Sequence, residues 1–178
     1  MKKVFVTLFA TLFIFLIPFM TYVMEYVPVR ANQEKVIYNL PYPGLLPDHP
    51  LYIVKAIRDN LLVLATRDNV KKAELYLLLS DKRIAMAAVL AKKGKEKQAI
   101  EVAGKAEKYF VKIPQLLMNA KKQGAAASSE FVTTLKLSNA KHKEIVENFL
   151  KELPQGLNDS INGVITINEQ VKKSLETF

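Results

Sequence analysis

The chain reads as all-α, with an N-terminal transmembrane or signal helix, a proline-rich linker and an antiparallel bundle of about four to five helices. Three observations predict this. A charge-free, largely apolar run from Val4 to Met24 follows Lys2 and Lys3. Prolines then cluster between Val27 and Pro50. Beyond Pro50, apolar residues recur at helical spacing, and no stretch alternates with the period of a half-buried strand. The expected divisions are 1–31 (signal peptide or signal anchor), 32–50 (linker) and 51–178 (helical bundle).

Composition narrows the function classes. A chain of 178 residues, 50% hydrophobic, can bury a core and is not a disordered polymer. The absence of Cys excludes disulfides, zinc–thiolate sites and cysteine nucleophiles. The net charge of +9 is carried mostly by Lys, the arginines being Arg30, Arg58, Arg67 and Arg83. Selective readers of phosphate or carboxylate use the planar fork of Arg, whereas Lys is a solvated point charge. The basicity therefore implies a soluble surface mildly attracted to anionic polymers or lipid.

In the first segment, about 21 residues at 1.5 Å each span roughly 30 Å, the thickness of a bilayer core. The lysines precede the run, so the N-terminus is expected in the cytoplasm and the rest outside it. Small residues around Val29-Arg30-Ala31 suit signal peptidase, while the run is long for a signal peptide. Two localisations follow: single-pass at the cell membrane with the C-terminal domain outside the cytoplasm, or secreted after cleavage following Ala31. In the linker, Pro41, Pro43, Pro47 and Pro50 each remove a donor and fix φ, which favours extended chain. Its apolar tail, Tyr42 to Asp48, is expected to fold against the end of the bundle.

The helices follow in order. Asp48 is placed to cap a first helix from about Pro50 to Ala65, with Leu51, Val54, Ile57, Leu61 and Leu64 as its core stripe. Asp68 caps a second helix reaching Lys93 and stopped by Gly94, with the stripe Ala73, Leu77, Ser80, Ile84, Ala87 and Ala91. A third runs from about Lys95 to Gln123 on Ala99, Ala103, Ala106, Phe110, Ile113, Leu117 and Ala120, kinked at Pro114. Ser128 or Ser129 caps a fourth, striped by Phe131, Leu135, Ser138, His142, Ile145 and Phe149 and ending before Pro154. The last carries Leu157, Ile161, Val164, Asn168, Val171 and Leu175. Short turns between such helices imply antiparallel neighbours at shallow crossing angles.

The stretch Tyr42-Pro43-Gly44-Leu45-Leu46-Pro47-Asp48-His49-Pro50-Leu51-Tyr52 resembles the opening of an uncharacterised all-helical domain-of-unknown-function family of exported or membrane-anchored prokaryotic proteins. Lys71 to Leu77, Arg83-Ile84-Ala85, Ala140 to Val146 and Leu153-Pro154 resemble later parts of it, in order. Met86 and Ala88 depart from it, standing where the family carries acidic residues. The resemblance implies a helical fold and an envelope location, and some members are anti-sigma-factor-like. It implies no catalytic residue.

No chemistry-bearing constellation emerges from the residues themselves. His142 is read as a half-buried ring with one nitrogen bonded, the alternatives being a metal ligand or a pH switch; it lacks a second His at helical spacing. His49 beside Asp48 belongs to a helix start. Asp81, Glu107, Glu144 and Glu147 read as carboxylates scattered among lysines, with Lys97–Glu101 and Glu147–Lys151 as surface pairs. No buried acid pair, phosphate loop or nucleophile elbow is evident. Asn168 either sets register or marks an edge for a partner helix, and Asn158-Asp159-Ser160 matches a glycosylation sequon. Lys92, Lys93, Lys95 and Lys97 form a basic turn open to anionic lipid or wall polymer. No aromatic residue interleaves with them to stack on bases, so nucleic acid is not expected. The expectation is an extracytoplasmic, non-enzymatic interaction module, without cofactor or metal, that meets a protein partner at the cell envelope. The alternative is a binder of anionic polymers or lipid, or a holdase-like chaperone.

Overall fold

The computed structural model describes residues 35–178; the expected signal or anchor segment lies outside the described residues. The described residues contain helices and no strand, and none of the helices is long and apolar enough to cross a membrane. A strap without helix or strand, 35–50, turning at 47–50, leads into α1 (Tyr52–Ala65), α2 (Asn69–Lys92), α3 (Glu96–Phe110), α4 (Ile113–Lys122), α5 (Ser129–Glu152), a 3-10 turn (Gln155–Leu157) and α6 (Asn158–Leu175). Helix α2 packs on α3, α4 and α5, and α6 closes the bundle against α5 and α3.

Local chemistry sets these boundaries. Asp68 Oδ1 accepts the Lys71 N–H at 2.8 Å and Ser128 Oγ accepts the Phe131 N–H at 3.1 Å, satisfying first-turn donors. Gly94, at φ +68°, ends α2 in a Schellman turn, with the Lys95 N–H returning to the Leu90 carbonyl at 3.0 Å. That tight reversal lays α3 along α2.

Two boundaries differ from expectation. Asp48 does not cap α1: its carboxylate pairs with the Lys95 ammonium at 2.6 Å, which lowers its pKa. Instead, Nδ1 of the neighbouring His49 accepts the Leu51 N–H at 3.2 Å. The helix expected to kink at Pro114 is interrupted, ending at Phe110 and restarting at Ile113. Pro114 has no N–H to return to Phe110, and the Lys112 N–H turns back tightly to Tyr109. The apolar phase survives the break, since Ala99, Ala103, Ala106, Phe110, Ile113, Leu117 and Ala120 are all buried.

The core divides into two apolar clusters along the bundle axis. One joins Ile84, Leu90, Ala103, Val146, Phe149 and Ile161, with Leu40 and Leu46 of the strap against it. The other joins Leu77, Phe110, Leu117, Leu135, Val171 and Leu175. Because Ala99, Ala103 and Ala106 let α3 approach closely, Ala103→Leu should overpack the core and cost about 1–3 kcal/mol, against at most about 0.5 kcal/mol for the exposed Lys108→Ala. A lower urea midpoint at unchanged slope is the expected reading.

Candidate functional site

Between the two apolar clusters, each long core helix turns a polar residue inward. Asp81 comes from α2, Glu107 from α3, Ser138, Asn139 and His142 from α5, and Asn168 from α6; all are buried. His142 Nδ1 lies 2.8 Å from Glu107 Oε1, and Nε2 lies 2.9 Å from Asp81 Oδ1. Ser138 Oγ donates to Asp81 Oδ1 at 2.6 Å, and the strap's Tyr38 hydroxyl donates to Asp81 Oδ2 at 2.6 Å. Asn168 Nδ2 donates to Glu107 Oε2 at 3.3 Å and to the Asn139 carbonyl at 3.1 Å, and the Asn139 amide returns a bond to the Asn168 carbonyl.

An imidazole facing a carboxylate oxygen at each nitrogen must donate from both, so His142 is an imidazolium. Burial lowers its pKa, but the charge of Glu107 and the hydrogen bonds to Asp81 and Glu107 outweigh burial and lift it to about 9. Burial and the neighbouring Asp81 push the Tyr38 phenol well above its ordinary range, so it remains a donor. Ser138, His142 and Asp81 are the residue types of a hydrolytic triad, in the wrong arrangement. The serine donates to the aspartate and lies 3.4 Å from Nε2, and the ring keeps no free basic lone pair. The carboxylates sit on opposite edges of the ring, and no metal-holding group of His, Cys, Asp and Glu occurs among the described residues. This layer binds helices together.

The layer corrects the expectations for His142, Asp81 and Glu107, and it decides between the two for Asn168. His142 is wholly buried with both nitrogens engaged. Asp81 and Glu107 are buried core residues on either side of the His142 ring, and not carboxylates scattered among lysines. Of the two readings of Asn168, the contacts fit the one that sets register, since it joins helices inside the bundle and does not lie at a docking edge. A signal for the acids existed: Asp81 lies four residues after Leu77 and three before Ile84, and Glu107 repeats that spacing between Ala103 and Phe110. Among the surface pairs, Glu101 meets Lys105 at 2.6 Å and Glu147 meets Lys143 at 3.6 Å. Asn158 of the sequon is half-buried at the start of α6. Of the basic turn, Lys92, Lys93 and Lys97 are exposed, while Lys95 is held by Asp48.

The largest departure is α1. Its stripe was expected to face the core, yet Val54, Ile57, Leu61 and Leu64 are 64%, 56%, 59% and 78% exposed, and Leu51 and Ile53 are exposed beside them. Asp59 is the buried residue of this helix. It meets Arg58 at 2.7 Å and Lys55 at 3.8 Å, and burial lowers the pKa of Lys55. The next residue, Asn60, accepts from the Tyr109 hydroxyl of α3 at 3.0 Å. Helix α1 therefore rests on the bundle through a mixed underside, with Asp59 buried and Tyr52 and Val63 against the core clusters, and presents its main apolar stripe to solvent.

A family model described as Domain of unknown function (DUF5667) matches residues 44–156, and the chain belongs to that family. No curated protein and no solved structure matches it.

The raised His142 pKa fixes the sign of a pH dependence. Its stabilisation is complete below the unfolded value of 6.5 and disappears as pH climbs through about 9. Thermal melts should therefore weaken across that window, and His142→Gln should flatten this part of the profile. His142→Leu leaves two buried carboxylates uncompensated and should cost about 3–5 kcal/mol in denaturant titration. Tyr38→Phe removes one donor from Asp81 and should cost about 1–3 kcal/mol, with faster amide exchange along the strap.

Proposed function

We propose that the chain is an extracytoplasmic, non-enzymatic helical interaction module held at the cell membrane, and that α1 is the face through which it interacts. The observation that carries this reading is the outward stripe of α1. A contiguous apolar face on a folded domain marks a surface that something else covers. Supporting it, the ionisable groups of the core are consumed in holding helices, and the N-terminal run has the length and flanking charge of a membrane span. The family resemblance, with its exported and anti-sigma-factor-like members, favours a task in envelope signalling or assembly alongside a protein partner. The exposed lysines at the α2–α3 turn are an accessory contact for anionic material, weakened by the engagement of Lys95 with Asp48.

The chain contains no Cys, so an introduced one is a unique probe. Full-length Leu61→Cys and Lys172→Cys, expressed in the native host, are treated with a membrane-impermeant maleimide on intact cells. The module reading expects Lys172→Cys to react readily and Leu61→Cys to be protected at least about tenfold by whatever covers α1. Equal reactivity at both positions would refute an α1 interface. Labelling that requires lysed cells would refute the extracytoplasmic placement.

A further inference from the structure

We infer that the outward face of α1 lies in the headgroup–acyl boundary of the membrane bilayer, docking the bundle flat on the surface to which its N-terminus tethers it. This rests on the membrane-held module proposed above and names what covers the same face.

Length is the first argument. Helix α1 has 14 residues, about 21 Å, too short to span a bilayer and suited to lying in its plane. Charge is the second. The one acid of α1, Asp59, is buried against Lys55 and Arg58, so the exposed side offers aliphatic side chains and no carboxylate. Arg58 remains largely exposed at its edge. Aliphatic residues rimmed by cations are what an anionic leaflet attracts.

The surroundings of α1 continue the pattern. Tyr42 and Leu45 of the strap line a shallow groove with Lys55, Arg58 and Lys82, and Tyr42 is 83% exposed. A tyrosine beside basic side chains is the composition of a membrane–water interface. A second copy of the chain is the poorer occupant, because pairing two such faces would juxtapose their cationic rims.

The tether makes even weak docking effective. Eleven residues separate Met24, where the apolar run ends, from Val36, whose N–H is bound by Glu144 at 2.8 Å. Their contour is at most about 40 Å, close to the length of the longest helices of the bundle. Contact of α1 with the bilayer is then intramolecular, at high effective concentration.

The test uses the full chain in nanodiscs of mixed phosphatidylcholine and phosphatidylglycerol. Leu61→Cys and Lys172→Cys carry an environment-sensitive fluorophore, and nitroxide-bearing lipids act as depth quenchers. Docking expects blue-shifted emission at position 61 with at least about twofold quenching by nitroxides near the headgroups, and neither at position 172. Adding Ile57→Asp, at an exposed position of α1, should restore water-like emission at position 61 while the chain stays in the disc. Three outcomes overturn the inference. Water-like emission at position 61 in discs, with protection in cells, means that a protein covers α1, and the module reading survives. A blue shift without quenching, together with inter-chain crosslinks at position 61, means a second copy. Quenching at both positions means non-specific adsorption. Failure of the module reading looks different, since the full chain would stay soluble without lipid or position 61 would be open in cells.

Discussion

The contact on which the rest of the bundle depends is the imidazolium of His142 held between Asp81 and Glu107. The ring and its two carboxylates are taken out of water together, at a desolvation cost offset only because each carboxylate meets a ring nitrogen. Ser138, Tyr38 and Asn168 supply the remaining donors. Leucine-on-leucine packing tolerates small slips between helices, whereas this layer has one arrangement that satisfies it. A slip of one helical turn along α3 would put Ala103 or Val111 opposite His142 in place of Glu107, leaving the ring uncompensated. The apolar clusters on either side supply burial; the layer between them supplies register.

This division explains how much of the structure was legible from sequence. The stripes of α2 to α6 were readable because burial of a helix face depends only on the period of its own residues. The Asp68 and Ser128 caps and the Gly94 stop were readable for the same reason, being chemistry within a few residues. The polar layer was not, because it is a pairing across helices far apart in the chain. Asp81, Glu107 and His142 each sit on a stripe of their own helix, but no single-helix pattern says that the three lie at the same level. Asp81 and Glu107 accordingly read as carboxylates among their lysine neighbours, and His142 as a half-buried ring on its own stripe. The Asp48 cap failed similarly: a distant cation at Lys95 outcompeted the local backbone donors.

Helix α1 fails for a different reason. Periodicity identifies an amphipathic helix and says that one face avoids water, but not what shelters it. Here Asp59 is buried on the bundle side, paired with Lys55 and Arg58 of its own helix, while Asn60 accepts from Tyr109 of α3 and Tyr52 and Val63 pack on the core. Polar contacts facing a folded domain and aliphatic ones facing away invert the usual order of a globular surface. Such an inversion is favourable only where the aliphatic side finds its own apolar medium.

Strap and α1 also share a mode of attachment that the rest of the bundle lacks. The strap is fixed by Val36 to Glu144, by Tyr38 to Asp81 and by Asp48 to Lys95, with Leu40 and Leu46 against the cluster of Ile84, Leu90 and Phe149. Helix α1 is held by the Tyr109–Asn60 hydrogen bond and by Tyr52 and Val63 against the core clusters. These are specific hydrogen bonds over limited apolar area, so the elements nearest the proposed tether are the first that local opening would release. One of those bonds ends on Asp81, inside the layer that sets the register of the whole bundle. Release of the strap would take a donor from a carboxylate that already holds His142, and the cost would be felt by α2 and α5 together. In the proposed arrangement, the connection between membrane and bundle therefore runs through the group whose protonation and pairing the core can least afford to lose.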